Sequence, residues 1–361
     1  MLGHAHPGVV DAVSAALANG SMPAFNHPLE EQAARAIARH TGHLDRVVFT
    51  NSGSEAVHLA CRIARHKTGR DKIVKIAAGF DGWFDEVAYG NSGSRDAMMD
   101  RNTRPERDRT ILTRWNDIAD IESLFAERSD IAAVIFEPLL ANSGCIEPAP
   151  GYLQRLCEVA HSHGAMVIAD EVLMGFRCRL GLASAWLGEA VDIATVGKAI
   201  GSGIPVAGVL GTSDSMADLE SGAVVRAGTY SGNPVATAAV VATIGALETV
   251  DYPGLLVRGD RLRTAISRAF SGQGLNVSTT GHGTVFTLWA SENPPRDYRE
   301  AAEMADMDWT VALHKRVREL GCLIMPNPFG RIYITFAHSD DVCNDIAAIF
   351  ADAAMQIARA A

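Results

Sequence analysis

Two ionisable residues, Asp170 and Lys198, each come at the end of an apolar run of the sequence. Residues 165–169 (AMVIA) lead into Asp170, and residues 191–196 (VDIATV) lead into Gly197 and Lys198. Short apolar runs bounded by turn residues are typical of buried parallel strands. Because open α/β sheets bind ligands at the carboxyl ends of their strands, we expect both side chains in one crevice.

A carboxylate and a primary amine in one crevice suit a cofactor that has a basic ring nitrogen and an aldehyde. Pyridoxal phosphate (PLP) has both groups, and its enzymes pair an acidic residue with the ring nitrogen and a lysine with the aldehyde. A salt bridge between two surface strand ends would produce the same pattern. Taken alone, Asp170 and Lys198 leave both interpretations open.

Two small polar segments could bind the phosphate of such a cofactor. Ser52, Gly53 and Ser54 separate a short apolar strand from a helix, and Gly228 and Thr229 precede a second, alanine-rich helix. Unpaired backbone N–H groups at the start of a helix form an anion site, which phosphate often occupies. Each segment by itself is equally compatible with ordinary helix capping.

Further candidates follow other predicted strands. Phe80 lies between two glycines in residues 79–83 (GFDGW) and could present its ring to a ligand, although a core aromatic would look the same. Glu137 ends the apolar run 131–136, and Asn142 lies in the loop that follows. A structural carboxylate at a strand end would also fit the position of Glu137.

The elements that must position these residues alternate between strand and helix. Strands are predicted at residues 46–50, 72–76, 131–136, 191–196 and 206–210, and in the run that ends at Asp170. Helical periodicity covers residues 55–65 and 152–163 between them. This alternation indicates an α/β fold with a mostly parallel central sheet.

The character of the sequence changes near residues 252–254 (YPG). A long amphipathic helix, short apolar runs and a last helix from Val342 follow, with strands expected at 322–326 and 332–336 among others. We therefore expect a large domain over residues 1–250, with an N-terminal helical segment, and a smaller α+β domain over residues 251–361.

The composition of the chain argues against some classes of binding partner. The chain has 361 residues, a net charge of -10 and 48% hydrophobic residues, which argues against nucleic acid or an anionic membrane as a partner. Its six cysteines lack metal-ligand spacing, so we expect no metal site. Without a signal peptide or a membrane-length apolar run, the expected location is the cytoplasm.

The order of these motifs resembles the class III aminotransferases of PLP fold type I. The likeness is nearest to the branch of glutamate-1-semialdehyde aminomutase and the β-amino-acid aminotransferases. It rests on residues 2–7 (LGHAHP), 51–56 (NSGSEA), 68–75 (TGRDKIVK), 170–172 (DEV), 175–177 (GFR), 197–198 (GK) and 228–234 (GTYSGNP). The resemblance covers essentially the whole chain and implies PLP as the cofactor.

The resemblance also implies roles for individual residues. Lys198 would form the Schiff base with PLP and shuttle a proton, and Asp170 would keep the pyridine nitrogen protonated. Val172 would pack on one face of the ring and Phe80 on the other. The remaining implied cofactor contacts are Ser52, Gly53 and Ser54 at the phosphate, Gly228 and Thr229 reaching it from the second subunit of a homodimer, and Glu137 and Asn142 near the ring hydroxyl.

Departures from the family pattern bear on the substrate. Family members carry the Leu-Gly-His motif only after several dozen residues, so the usual upstream portion, which helps line the substrate site, is expected to be lacking. Arg331 is then a candidate for binding a substrate carboxylate, although a solvated arginine would look the same. Asp81 stands where the family often has a histidine, Trp83 where the aminomutase commonly has one, and Met174 where a small threonine is common. All three are therefore candidate substrate contacts.

Transfer of an amino group from an amine or amino acid to a keto acid or aldehyde is the leading hypothesis. An aminomutase resembling glutamate-1-semialdehyde 2,1-aminomutase is the alternative, because it needs the same lysine and aspartate. A catalytically silent binding protein with the PLP fold is a third possibility. The pattern at Phe80, Asp81 and Trp83 favours transamination, and the sequence does not identify the substrate.

Overall fold

The computed structural model describes residues 1–22, 25–98 and 105–360. The chain divides into two compact units, which we call the large unit and the small unit. The large unit comprises Leu2–Pro138 and Pro148–Val250, and the small unit comprises Met1, Leu139–Glu147 and Asp251–Ala361. Leu139–Glu147 therefore groups with the carboxyl-terminal part of the chain, although it lies early in the sequence.

In the described residues of the large unit, a central sheet has eight strands. They are β1 (Arg46–Thr50), β2 (Lys72–Ile76), β3 (Glu106–Arg107), β4 (Thr110–Thr113), β5 (Ile131–Phe136), β6 (Met166–Glu171), β7 (Ile193–Val196) and β8 (Ala207–Gly211). Their order is β1-β8-β7-β6-β5-β2-β4-β3. The neighbours from β7 to β4 are parallel, and β8 is antiparallel to both of its partners. The expected α/β fold with a mostly parallel sheet is confirmed.

The helices of the large unit are α1 (Pro7–Ala18), α2 (Pro28–Ala38), α3 (Gly53–Thr68), α4 (Asp85–Ala88), α5 (Ile118–Glu127), α6 (Tyr152–Ser162), α7 (Ser213–Glu220) and α8 (Pro234–Leu247). Helix α3 packs its alanines and Ile63 against apolar residues of the sheet such as Ile135 and Ile168. Small side chains on this face let the helix lie close to the sheet, which sets the position of its first turn.

As far as residue 360, the small unit contains a three-stranded antiparallel sheet and four helices. These are β9 (Ser278–His282), β10 (Val285–Trp289) and β11 (Ile332–Tyr333), with α9 (Tyr252–Ser271), α10 (Tyr298–Met304), α11 (Met307–Glu319) and α12 (Asp340–Ala360). Its core is formed by side chains such as Phe270, Phe286 and Phe350. Helix α9 approaches the β9–β10 turn so closely that a Cβ on Gly259 would lie 1.6 Å from the carbonyl oxygen of Gly283.

Two strand predictions in the small unit need correction. Residues 322–326 form no strand, and the strand expected at 332–336 is reduced to Ile332–Tyr333. Cys322 and Ile324 pack against the core of the small unit, while Leu323 is 78% exposed and Met325 is 43% exposed. The backbone hydrogen bonds of the partly buried positions go elsewhere, since the Cys322 N–H donates to the Val317 carbonyl and the Ile324 carbonyl bonds to the ring of His314.

Across the described ranges, no single helix combines the length and apolarity of a membrane span. Helices α8 and α9, which are consecutive, meet these criteria of length and composition only when they are joined.

Candidate active site

Strands β6 and β7 bring Asp170 and Lys198 to the same edge of the sheet. The strands are parallel neighbours, and Asp170 lies opposite Thr195 in their register. Lys198 follows two residues after the end of β7 and begins a short 3-10 turn, Lys198–Gly201. The sheet therefore delivers both side chains to the carboxyl ends of adjacent strands.

The carboxylate of Asp170 is buried and held by two donors. Only 4% of the residue is exposed. Its Oδ1 accepts hydrogen bonds from the backbone N–H of Val172 at 2.9 Å and from the hydroxyl of Thr195 at 3.0 Å. Burial, and next the charge of Asp81, raise the pKa of Asp170 to about 7, while the two donors and Lys198 act in the opposite direction. Asp170 is therefore not part of a surface salt bridge, which was the alternative left open by the sequence.

Lys198 has an unusual backbone conformation. Its φ is +39°, in the left-handed region that residues other than glycine rarely adopt, and the residue is exposed. Such strain persists where the surrounding structure enforces it, often at functional sites. The positive charge of Lys198 lowers the pKa of both Asp170 and Glu137, so the lysine stands near both carboxyl groups.

The first turn of α3 lies against the end of β6. A Cβ on Gly53 would come within 2.8 Å of Cγ1 of Val172, and one on Gly197 would come within 3.2 Å of the same atom. Val172 thus touches both the helix start and the residue before Lys198. Glycine at position 53 is required by this approach of backbone to side chain.

Capping leaves part of this helix start open to an anion. Ser52 and Glu55 form a capping box, in which the Ser52 hydroxyl accepts from the Glu55 N–H at 3.3 Å and the Glu55 carboxylate accepts from the Ser52 N–H. The N–H groups of Gly53 and Ser54, in the first turn, have no acceptor within the helix. Capping and anion binding are therefore compatible here, and Ser52 itself serves the cap.

Residues 79–83 lie between β2 and α4 and carry three of the candidates. Phe80 is 42% exposed, and its backbone N–H donates to Oε1 of Glu137 at 2.9 Å. Glu137 is 3% exposed, and burial followed by the charges of Asp81 and Asp170 raises its pKa to about 8. Trp83 is 77% exposed, and its N–H donates to the Ser54 hydroxyl at 3.2 Å.

Asp81 and Met174, two of the candidate substrate contacts, are both buried. Asp81, expected on the substrate side, is 1% exposed and forms an ion pair with Lys75, with Nζ and Oδ2 3.4 Å apart. The Asp81 carboxylate therefore points to the buried ammonium group of Lys75. Met174 is also 1% exposed, because it follows the turn after β6 into the interior.

Gly228 and Thr229 lie on the surface of the large unit before α8. Both are exposed, and Gly228 has a φ of +145° that favours glycine. The neighbouring Ser231 accepts a hydrogen bond from the side chain of Asn51 at 3.3 Å. This places the segment beside the residue that precedes Ser52 in the same chain.

Arg331 and Asn142 meet within the small unit. The guanidinium Nη1 of Arg331 donates to Oδ1 of Asn142 at 2.9 Å, and its Nε donates to the hydroxyl of Tyr333 at 2.8 Å. Both residues were candidates from the sequence, but a contact between them was not predicted. Arg331 is half-buried.

Two residues of this region were missed by sequence reasoning. Thr195 stands out in β7 only as a polar residue in an otherwise apolar strand, and its partner Asp170 is identified by sheet register. Lys75 occupies a fully buried position on β2. A lysine inside a strand flanked by apolar residues is a signal that could have been used, because lysine is rarely buried without a partner.

Comparisons with known proteins agree with the motif resemblance. The sequence profile of the class III aminotransferases matches residues 1–273. A glutamate-1-semialdehyde 2,1-aminomutase of Nitratidesulfovibrio vulgaris (strain DP4) is 36% identical over 368 residues, which cover 99% of this chain and 85% of the relative.

Solved structures agree as well. An omega-transaminase from Sphaerobacter thermophilus matches with a TM-score of 0.89 and 28% identity, covering 99% of this chain and 84% of that one. A transaminase with PLP bound matches with a TM-score of 0.87 and 28% identity over the same shares. The similar proteins thus include both an aminomutase and transaminases.

Proposed function

This chain belongs to the class III aminotransferases, a family of PLP-dependent enzymes, and we propose that it is itself an aminotransferase. It would move an amino group from an amine or amino acid to a keto acid or aldehyde. The observation that carries the PLP chemistry is the buried carboxylate of Asp170, on the strand next to the one that leads into Lys198. Burial of a carboxylate is unfavourable unless it is paired, and the protonated ring nitrogen of PLP would pair with it. The residues at Phe80, Asp81 and Trp83 favour transamination over the aminomutase reaction.

The residues at this sheet edge fit PLP. Both hydrogen bonds to Asp170 fall on Oδ1, and within the described residues Oδ2 has no donor, so it is available to a ring N–H. The N–H groups of Gly53 and Ser54 suit the phosphate, because a helix start attracts an anion. When bound, PLP supplies an electron sink for the carbanion that forms when the substrate loses its Cα proton.

Each side chain then has a task that its position allows. Lys198 would hold the cofactor covalently through its amine and move a proton between the substrate Cα and C4′ of the cofactor. Asp170, as a carboxylate, would keep the proton on the ring nitrogen. Val172 would pack on one face of the ring and Phe80 on the other, while Glu137 would lie on the side of the ring hydroxyl.

The proposal includes a homodimer in which Gly228 and Thr229 reach the phosphate of the neighbouring subunit. Both residues are exposed, and so are Val225 and Tyr230 nearby, at 62% and 64%. Exposed apolar side chains around a helix start are consistent with a surface that a second copy covers.

Mixed dimers test this sharing of the site. A Lys198→Ala subunit paired with a Thr229→Ala subunit should regain activity, because one of its two sites would combine the intact Lys198 with the intact Thr229 of the other subunit. If Thr229 serves the site of its own chain, no intact site forms and the mixture stays as inactive as the parents.

A cytoplasmic location is part of the same proposal. The six cysteines, which lie in the described residues, form no disulfide there. Cysteines without disulfides are usual where thiols are kept reduced.

An aminomutase is the second candidate. The relative that is 36% identical over 99% of this chain is a glutamate-1-semialdehyde 2,1-aminomutase. Such an enzyme would move the amino group within one substrate, and it would use Lys198 and Asp170 in the same way.

Addition of an amino donor without an acceptor separates the two candidates. For an aminotransferase we expect one equivalent of keto or aldehyde product per site, together with loss of the cofactor's visible absorbance and its recovery on adding an acceptor. For an aminomutase, the substrate would turn over without an acceptor and yield only an isomer. Isomer without a second product would overturn the proposed transamination, and an absence of any spectral change with all donors would overturn both.

A further inference from the structure

The side chain of Lys75 is fully buried on β2 and makes two contacts with one short segment. Its Nζ donates to the carbonyl oxygen of Gly79 at 2.6 Å and pairs with Oδ2 of Asp81 at 3.4 Å. Gly79 and Asp81 are the two chain neighbours of Phe80. Lys75 therefore contacts the backbone of the residue before Phe80 and the side chain of the residue after it, while Phe80 itself is 42% exposed.

Stability alone does not explain this pair. Burial lowers the pKa of Lys75 and raises that of Asp81, so both charged forms are disfavoured by their surroundings. No hydrogen bond to either carboxylate oxygen of Asp81 is made by the described residues. Buried ion pairs of this kind can often be replaced by apolar residues with no loss of stability, so the pair calls for another role.

The segment that Lys75 holds is also tied to the rest of the candidate site. The Phe80 N–H donates to Glu137, and the Trp83 N–H donates to Ser54 at the start of α3. A Cβ on Gly82 would lie 2.9 Å from the Ser54 hydroxyl oxygen, so the segment packs against the first turn of the helix. A shift at residues 79–81 would move the Phe80 ring relative to both Glu137 and the helix start.

We propose that Lys75 is a positioning residue, which holds Phe80 against the cofactor by bracketing it through Gly79 and Asp81. The proposal rests on the proposed function, since it takes the ring of PLP as the group that Phe80 contacts. Lys75 itself would not touch the cofactor. Both contacts of Lys75 can form whether the proton lies on the Lys75 amine or on the Asp81 carboxyl group. A neutral amine still donates to the Gly79 carbonyl, and a hydrogen bond between Lys75 and Asp81 is possible in either state.

A double-mutant cycle with Phe80 tests the proposal through binding of PLP to cofactor-free protein, followed by fluorescence at equilibrium. Lys75→Met should weaken binding about threefold to tenfold, the range that corresponds to loss of an aromatic contact. Phe80→Ala should weaken it by a similar factor. In the Phe80→Ala background, Lys75→Met should then have less than about a twofold effect, because there is no ring left to position.

A matched control lies on the same strand. Lys72→Met removes a lysine that pairs with Glu106 and donates to the Asp108 carbonyl, and we expect it to leave PLP binding unchanged. If Lys75→Met alone is too unstable to purify, Lys75→Met with Asp81→Asn replaces it in both backgrounds, since removing both charges avoids an unpaired one. Unfolding of each cofactor-free variant reports its stability separately.

The outcomes are distinct. An equal loss of PLP affinity in both backgrounds, or no loss at all, would overturn the positioning role while leaving the proposed function intact. Complete restoration of affinity in Lys75→Met/Asp81→Asn would also overturn it, because the bracket would then be dispensable. Failure of the wild-type protein to bind PLP would overturn the proposed function and this proposal with it.

Discussion

The hydroxyl of Thr195 should lower the pH above which the protein binds its cofactor. Asp170 must be a carboxylate to pair with the protonated ring nitrogen, and its pKa is about 7 without cofactor. Binding is therefore expected to be strong above pH 7 and to weaken as the pH falls through that value. The Thr195 hydroxyl stabilises the carboxylate form, donating to Oδ1 at 3.0 Å from a fully buried position.

Thr195→Val removes this donor and keeps the shape of the side chain. A hydrogen bond to a charged acceptor contributes about 1.5 kcal/mol or more, and one pKa unit corresponds to about 1.4 kcal/mol. The midpoint of PLP binding should therefore move up by about one pH unit. Near pH 7 the variant should bind several times more weakly than the wild type, and at about pH 9 or above the two should agree.

The assay is titration of PLP into cofactor-free protein, followed by tryptophan fluorescence at several pH values between about 6 and 9. Thr195→Ser keeps a hydroxyl on the same carbon and serves as the matched control, with the midpoint of the wild type. Comparing variants at each pH cancels the titration of PLP itself, which is common to all of them. Coincident midpoints for Thr195→Val and the wild type would refute the role of this hydrogen bond.

Three further predictions concern the lysine, the small unit and the substrate. Lys198→Ala should lose the borohydride-reducible link to PLP and all turnover, and a link that persists, measured by the mass of the reduced protein, would show that another amine carries it. Gly259→Ala should lower the free energy of unfolding by about 1–3 kcal/mol, because its Cβ would collide with the Gly283 carbonyl. In denaturant unfolding, Gly245→Ala is the helical control; it has nothing within 4 Å of the added carbon, so it should be neutral or stabilising by up to about 1 kcal/mol. Arg331→Ala should raise KM about tenfold for amino donors that carry a carboxylate, as expected for a guanidinium that binds a carboxylate. The KM for simple amines should not change. Equal effects on both classes of donor in steady-state assays would assign Arg331 a structural role.

Much of the large unit could be predicted because its signals are local. The apolar runs before Asp170 and Gly197 form β6 and β7, and the polar residues from Ser52 to Ser54 start α3 as expected. Turn residues and short apolar runs depend on a few neighbouring positions, and a strand end is visible in one short window of sequence. The likeness of motif order to the class III aminotransferases was available from the same windows and is confirmed.

Strand direction and sheet order were less accessible. The strand at residues 206–210 was predicted, yet its antiparallel place between β1 and β7 was not. Likewise, β4 was missed, because its four residues follow a polar stretch and pair in parallel with β2, which is distant in sequence. Pairing between strands that are distant in sequence leaves no local pattern.

The sequence by itself determined which residues could do chemistry and at which edge of the sheet they would stand. The tertiary structure decided the surroundings of these residues. Burial raises the pKa of Asp170, and the hydroxyl of Thr195 donates a hydrogen bond to it. Lys75 forms a buried ion pair with Asp81. Desolvation and charge pairing shift the pKa of a group, and both depend on residues that become neighbours only when the chain folds. For that reason Asp170 and Lys198 could be named from the sequence, while Thr195 and Lys75 needed the fold.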